Sequence, residues 1–233
     1  MEKRVIILSV ILLGILISII IFFIVKINQK PEIVKDCNVI IENEGKDKID
    51  IVFFTDDVNK NKADEYTEFF LNSEPFSNYK NKFNFYNAGN SDCNMIEDTL
   101  FCYSKDLIKK SSICPNDYII VLSDTSEKIR SSSYLNVISL NVNNPKSVFL
   151  HEFGHAFANL ADEYVPSIPP FFSKNCASKC DNFQEYNIEK CFGGCSKNNY
   201  FRSSEESVMR TLKTNNFEKV NSILISKNLD KYE

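Results

Sequence analysis

The chain predicts an α/β fold, and three observations carry that prediction. Short apolar runs rich in Ile, Val, Phe and Tyr recur along it, bounded by turn-prone residues. Between them lie stretches whose apolar residues repeat at helical spacing. After the last run, Asn143-Asn144-Pro145 opens a helix that carries both histidines of the chain, His151 and His155. Strands alternating with helices ahead of such a helix describe a mixed sheet with helices packed on it.

Taken in order, the first element is different in kind. Glu2, Lys3 and Arg4 precede an apolar run from Val5 to Val25, broken only by Ser9, Gly14 and Ser18. That run is long enough to cross a bilayer as a helix, and it ends in Phe22-Phe23-Ile24-Val25-Lys26 without a small-residue cleavage pattern. Residues 1–27 therefore read as a cytoplasmic tip and an uncleaved transmembrane signal anchor, a cleaved signal peptide being the alternative. Lys3 and Arg4 favour a cytoplasmic N-terminus, while Lys26, Lys30 and Lys35 weigh against it. The very short leading segment leaves the large C-terminal part outside, on the extracellular or periplasmic side. Residues 28–48 are polar, with Pro31 and Gly45, and read as a stalk with Cys37 as a tether.

Residues 49–233 then make one domain. Ile49 to Phe54 is a buried strand ending at Thr55-Asp56-Asp57. Residues 61–72 put Ala63, Tyr66, Phe69, Phe70 and Leu71 at helical spacing. Phe83 to Tyr86 is a short strand, 87–94 a loop and Met95 to Lys110 a helix. Tyr118 to Leu122 and Tyr134 to Leu140 are strands, and the histidine helix runs from Lys146 to about Leu160. Residues 166–199, with their prolines, four cysteines and Gly193-Gly194, form an irregular Cys-rich loop. A last amphipathic helix over 216–229 turns Phe217, Val220, Ile223, Leu224 and Leu229 inward.

The 233-residue chain has a net charge of −4 and no basic stripe, which argues against nucleic acid as a partner. Its eight cysteines, Cys37, Cys93, Cys102, Cys114, Cys176, Cys180, Cys191 and Cys195, all follow the apolar run. In an exported domain an even set reads as disulfides. Cys176, Cys180, Cys191 and Cys195 also have a spacing that a second, structural zinc tolerates, so both readings stand for that loop.

The histidines form His151-Glu152-Phe153-Gly154-His155, an H-E-x-x-H motif. On a helix, residues i and i+4 share a face, so both imidazoles reach one ion, zinc by preference. Glu152 then stands beside that ion, placed to take a proton from an attacking water. Catalytic zinc wants a third protein ligand, and the chain has no third histidine. A carboxylate remains. On a continuous helix Asp162 would sit about 10 Å along the axis from His155, so the helix must stop between them. Asn159 suits that stop, because asparagine readily adopts the left-handed conformation. Asp162 is the expected third ligand, Glu163 the alternative, and Glu185 or Glu205 the more distant ones.

The stretch His151 to Tyr164, HEFGHAFANLADEY, resembles the metal-binding signature of the IgA-specific metallo-endopeptidase family, metzincin-like zinc peptidases whose signature reads close to HEFGHSFAGLADEY. Ile49 to Phe54, Glu74-Pro75-Phe76, Tyr79 to Asn84, the strand at 118–122 and Ser203 to Arg210 also resemble segments of that family, so the likeness covers most of 49–212. It implies a zincin fold, extracellular peptidase activity, zinc held by His151 and His155, and Glu152 as base. Ser207-Val208-Met209-Arg210 resembles the family's Ser-x-Met-Arg and matches the Met-turn in position. Met209 would then be an apolar floor under the imidazoles, plain core filling being the bland alternative. Two departures stand out: Asn159 replaces the family's usual glycine, and the residues after Asp57 lack its Gly-rich, Tyr-bearing turn. Specificity for antibody hinges is therefore not implied.

Together these readings predict a membrane-anchored extracytoplasmic zinc metallopeptidase acting on a protein or peptide. The rivals are a catalytically inactive zinc-binding module and a disulfide-stapled cell-surface interaction domain. Tyr164 and Arg210 are candidates for binding a peptide carbonyl or carboxylate, with Tyr200 and Arg202 on an equal footing.

Overall fold

In a computed structural model of the protein, the described residues are 37–55 and 61–232, with Gly14, Ile17 and Ser18 before them. The chain divides into two units, Met1–Ile33 and Val34–Glu233. In the first, Ser18 Oγ donates to the Gly14 carbonyl at 2.9 Å, a helical i to i−4 contact. The rest of the expected signal anchor, 1–27, lies outside the described residues, as do residues 28–36 of the expected stalk and the turn at Asp56 and Asp57. Among the described residues no helix is long and apolar enough to cross a membrane.

The second unit is an α/β domain built on a six-stranded mixed sheet. Its strands are β1 (Asn38–Ile41), β2 (Ile49–Phe54), β3 (Phe83–Asn87), β6 (Tyr118–Ser123), β7 (Ser132–Tyr134) and β8 (Val137–Asn141), in the order β1-β3-β2-β6-β8-β7. The inner four are parallel, and each edge strand is antiparallel to its neighbour. Parallel strands are covered on both faces, which is why their sequences are almost continuously apolar. The strand period of two then sorts them. Ile51, Phe53, Phe85, Ile120, Leu122, Ile138 and Leu140 face one side, where they meet α1 (Lys62–Leu71), α3 (Ser147–Ala158) and α4 (Glu218–Leu229). Val52, Phe54, Tyr86, Ile119, Val121 and Val137 face the other, with Leu107 of α2 (Lys105–Ser111) and the Cys37–Cys114 disulfide.

Four expectations need correcting. The stretch read as a stalk, 28–48, contains β1, which pairs with β3 and is pinned at its start by Cys37–Cys114. Only the end of the expected helix at 95–110 is helical. Its beginning is a hairpin of β4 (Asn94–Ile96) and β5 (Thr99–Phe101), turned at Glu97 with φ of 56° and closed by Cys93–Cys102. The run 134–140 is not one strand: Leu135, at φ of 54°, breaks it into the β7–β8 hairpin, with Tyr134 opposite Val137. The segment 166–199 is more ordered than a loop. It holds β9 (Cys176–Ala177), a 3-10 helix (Cys180–Tyr186), β10 (Phe192–Cys195) and the start of β11 (Lys197–Arg202), the three strands forming a small sheet in the order β10-β11-β9. Disulfides Cys176–Cys195 and Cys180–Cys191 staple it, so the four thiols are paired and not free to bind a second zinc.

Helix α3 is the element that positions the site. Phe149, Phe153 and Phe157, spaced i, i+4 and i+8, pack against the sheet and its neighbours. Phe153 lies edge-on to Phe70 of α1 at 4.9 Å and beside Tyr118 of β6 at 5.2 Å. That anchoring turns His151 and His155 away from the core.

Candidate metal centre and its cleft

The end of α3 behaves as the sequence requires. Asn159 adopts the left-handed conformation, φ 52° and ψ 36°, and carries the chain out of the helix. Its N–H bonds the His155 carbonyl at 3.1 Å, and that of Leu160 bonds the Gly154 carbonyl at 3.2 Å. The reversal also brings the Leu160 carbonyl to Nδ1 of His155 at 2.6 Å. Nδ1 of His151 meets the Val208 carbonyl at 2.9 Å. A carbonyl only accepts, so both imidazoles carry their proton on Nδ1 and aim the Nε2 lone pair outward.

These lone pairs converge with Asp162. The two Nε2 atoms are 3.0 Å apart, and Oδ1 of Asp162 is 3.1 Å from His151 and 3.2 Å from His155. Tetrahedral zinc with bonds of about 2.0–2.1 Å spaces its ligand atoms roughly 3.3 Å apart, so this triangle fits such an ion. The chemistry of the donors fits as well. Oδ1 of Asp162 is buried with no hydrogen-bond donor, and three acceptors facing one another call for a cation. Without a metal, a proton fills that role. Burial opposes the charge on His155, but the Asp162 carboxylate and the field of Glu152 outweigh it and push its pKa up to about 9. Burial likewise opposes ionisation of Asp162, yet the imidazoles of His151 and His155 against it, His155 when protonated, and the bond from Ser167 hold its carboxyl well below the usual range.

Asp162 is held by the stapled segment. Its Oδ2 accepts from Ser167 at 2.6 Å, and its carbonyl accepts from Ser196 Oγ at 2.7 Å. Asn175 uses both ends of its amide on Ala161, accepting from the N–H at 2.8 Å and donating to the carbonyl at 2.9 Å. Asn175 and Ser196 directly neighbour Cys176 and Cys195, so that disulfide ties together the residues that fix the carboxylate. Asn175 and Ser196 were missed in the sequence. Asparagine and serine beside cysteines are common, and only the fold brings them to residues 161 and 162.

Glu163 does not join the triangle. It is fully buried on the opposite side of the backbone, accepting from Ser207 at 2.6 Å, Asn221 at 3.0 Å and Asn175 at 3.3 Å. Burial raises its pKa despite those bonds. Glu185 and Glu205, the distant alternatives, are exposed and outside the ligand group. Met209 is completely buried. Its sulfur passes so close to Gly154 that an added Cβ would lie 2.9 Å from it and 3.0 Å from Phe217. The glycine between the two histidines is therefore what lets the 207–210 turn press against the helix.

A cleft of about 450 Å³ opens beside the triangle, with His151, Glu152 and Tyr164 in its lining. Ser147 Oγ, bonded to the Leu212 carbonyl at 2.7 Å, joins the start of α3 to the strand of chain after Met209. Tyr164 lies nearly parallel to His151, ring centres 6.5 Å apart. Burial, then the charges of Asp162 and Glu152, push its phenol pKa up, so it stays a proton donor. Tyr164 and Arg210 line the cleft, whereas Arg202 is buried against the carbonyls of Gly193 and Gly194 and Tyr200 lies under Lys197. Arg130, from the loop before β7, was not foreseen in this cleft.

Four disulfides within one domain are the pattern of a chain folded in an oxidising compartment, outside the cytoplasm. No protein-family model matches this chain, and a search of curated proteins returns no significant match.

Proposed function

We propose that the protein is an extracytoplasmic zinc metallopeptidase, tethered to a membrane by its N-terminal apolar run, with the peptidase chemistry that its resemblance to the IgA-specific metallo-endopeptidases implies. One observation carries the reading. His151, His155 and Asp162 present three lone-pair donors at zinc spacing, each oriented by a bond to a neighbouring residue, with Glu152 beside them in an open cleft. Zinc held there supplies a Lewis acid that polarises a carbonyl and makes water acidic near neutral pH.

The chain's own residues do the rest. The Val208 and Leu160 carbonyls keep the imidazoles in the metal-binding tautomer. Glu152 takes the proton of the attacking water and returns it to the departing amine. Tyr164, held protonated, offers a hydrogen bond to the carbonyl oxygen as charge develops on it. The apolar wall of the cleft strips water from the bound peptide.

The test is a diverse peptide library incubated with the full-length chain, with and without a chelator, alongside elemental analysis. Cleavage that needs stoichiometric zinc supports the reading. A zinc-loaded chain that cleaves nothing leaves the inactive-module rival.

A further inference from the structure

The cleft beside Glu152 has features that zinc ligation does not use. Its lining includes His151 and Glu152 but neither His155 nor Asp162, so it opens on the Glu152 side of the triangle. A base that returns its proton to the leaving amine must stand next to that amine. The residue on the amine side of the cleaved bond therefore occupies this cleft. Pro145 and Val148 on one side and Val208 and Leu212 on the other give it apolar walls. Arg130 and Arg210 stand in the same lining.

Both cations have capacity to spare. One Nη of Arg130 serves Asp98 and Thr99, each at 2.9 Å. Its remaining three N–H groups have no partner among the described residues, since a guanidinium carries five. Arg210 is exposed, and its guanidinium makes no hydrogen bond or ion pair among the described residues, although its charge is felt by the buried Glu163. Arg130 is already ion-paired with Asp98, so Arg210 is the lining cation that has no carboxylate partner among the described residues. An apolar-walled cleft with an unpartnered guanidinium at Arg210 matches an aliphatic stem ending in a carboxylate better than one ending in an amine.

We infer that the site, granted the peptidase reading above, selects substrates with a carboxylate on the first residue after the scissile bond, held by Arg210 with help from Arg130. The carboxylate is a Glu or Asp side chain, or the free end of a chain that stops there.

Matched peptides built on any sequence found cleaved test this with the zinc-loaded, full-length chain. One series carries Glu, Gln or Lys after the bond, with an amidated end. A second stops one residue after the bond, free or amidated. Glu should exceed Gln about tenfold in kcat/KM, or the free end should exceed the amidated one by as much. Either result supports the inference, and which series responds identifies the source of the carboxylate. Arg210→Gln should bring the ratio to about unity, while Arg210→Lys, which keeps the charge, should retain part of it. Binding gives an independent readout: product peptides beginning with Glu should bind the Glu152→Gln chain about tenfold tighter than those beginning with Gln. Cleavage indifferent to the carboxylate in both series overturns the inference and leaves the peptidase reading intact. A zinc-loaded chain that cleaves no peptide overturns both.

Discussion

The two sides of the candidate metal centre are held by different physics. His151 and His155 ride on α3, which Phe149, Phe153 and Phe157 anchor to the sheet. Asp162 comes from a segment with no regular structure, fixed by Ser167, Ser196 and Asn175 and by the disulfide that joins the neighbours of the last two. A helix sets its ligands by backbone periodicity and packing. A stapled loop sets its ligand by polar contacts that each have to be made. The helix side should therefore tolerate loss of single contacts, and the loop side should not.

The largest effect is expected where the helix delivers chemistry. Glu152→Gln keeps the shape and removes the base, so turnover should fall by about 10²–10⁴-fold with zinc still bound. Loss of zinc from this variant would show that the helix side is less robust than its packing suggests.

The loop side yields the next prediction. Replacing both Cys176 and Cys195 by alanine should weaken zinc binding about 10–100-fold, because Asn175 and Ser196 lose the link that holds them to residues 161 and 162. The same change at Cys93 and Cys102, which close a hairpin that bonds none of the three candidate ligands, should leave zinc affinity within about twofold. Competitive titration with a chelator measures both. Equal effects would erase the contrast between the two sides.

A smaller effect separates the adjacent acids. Asp162→Ala should lose zinc affinity with little change in thermal stability. Glu163→Ala should do the reverse, costing on the order of 2–3 kcal/mol by stranding Ser207, Asn175 and Asn221 in the interior. Glu163→Gln, whose amide can serve the same partners, should cost under about 1 kcal/mol. Denaturant melts of the three variants check the order.

The last is a pH effect. In the metal-free chain the pKa of His155 is pushed up to about 9, and zinc needs the neutral ring. Proton and metal compete, so zinc affinity should rise with pH by about tenfold per unit between roughly pH 7 and 9, then level off. Asp162→Asn, which removes the carboxylate that raises this pKa, should flatten that slope. A flat profile in the unaltered chain would place the competing proton elsewhere.

The same division explains what the sequence disclosed. The parallel strands bury continuous apolar runs, so Ile49–Phe54 and Tyr118–Leu122 were readable as strands, and the histidine helix from its Asn143-Asn144-Pro145 entry. The stop at Asn159 followed from geometry, because a straight helix cannot bring position 162 back to the histidines. The choice of Asp162 over Glu163 needed the same reversal, because Asp162 is the first carboxylate that the returning chain presents. The short strands at 94–101, 132–134 and 176–202 were not readable. Their pairing depends on turns at Glu97 and Leu135 and on disulfide partners that no local pattern encodes. Arg130 joins the cleft only through the loop between β6 and β7, a placement set by tertiary structure.

Zinc-edge X-ray absorption on the purified full-length chain tests the central claim most directly. The account predicts two imidazole nitrogens with oxygen donors, all at about 2.0–2.1 Å, and no sulfur. Sulfur scatterers near about 2.3 Å, or a chain that retains no zinc, would contradict it.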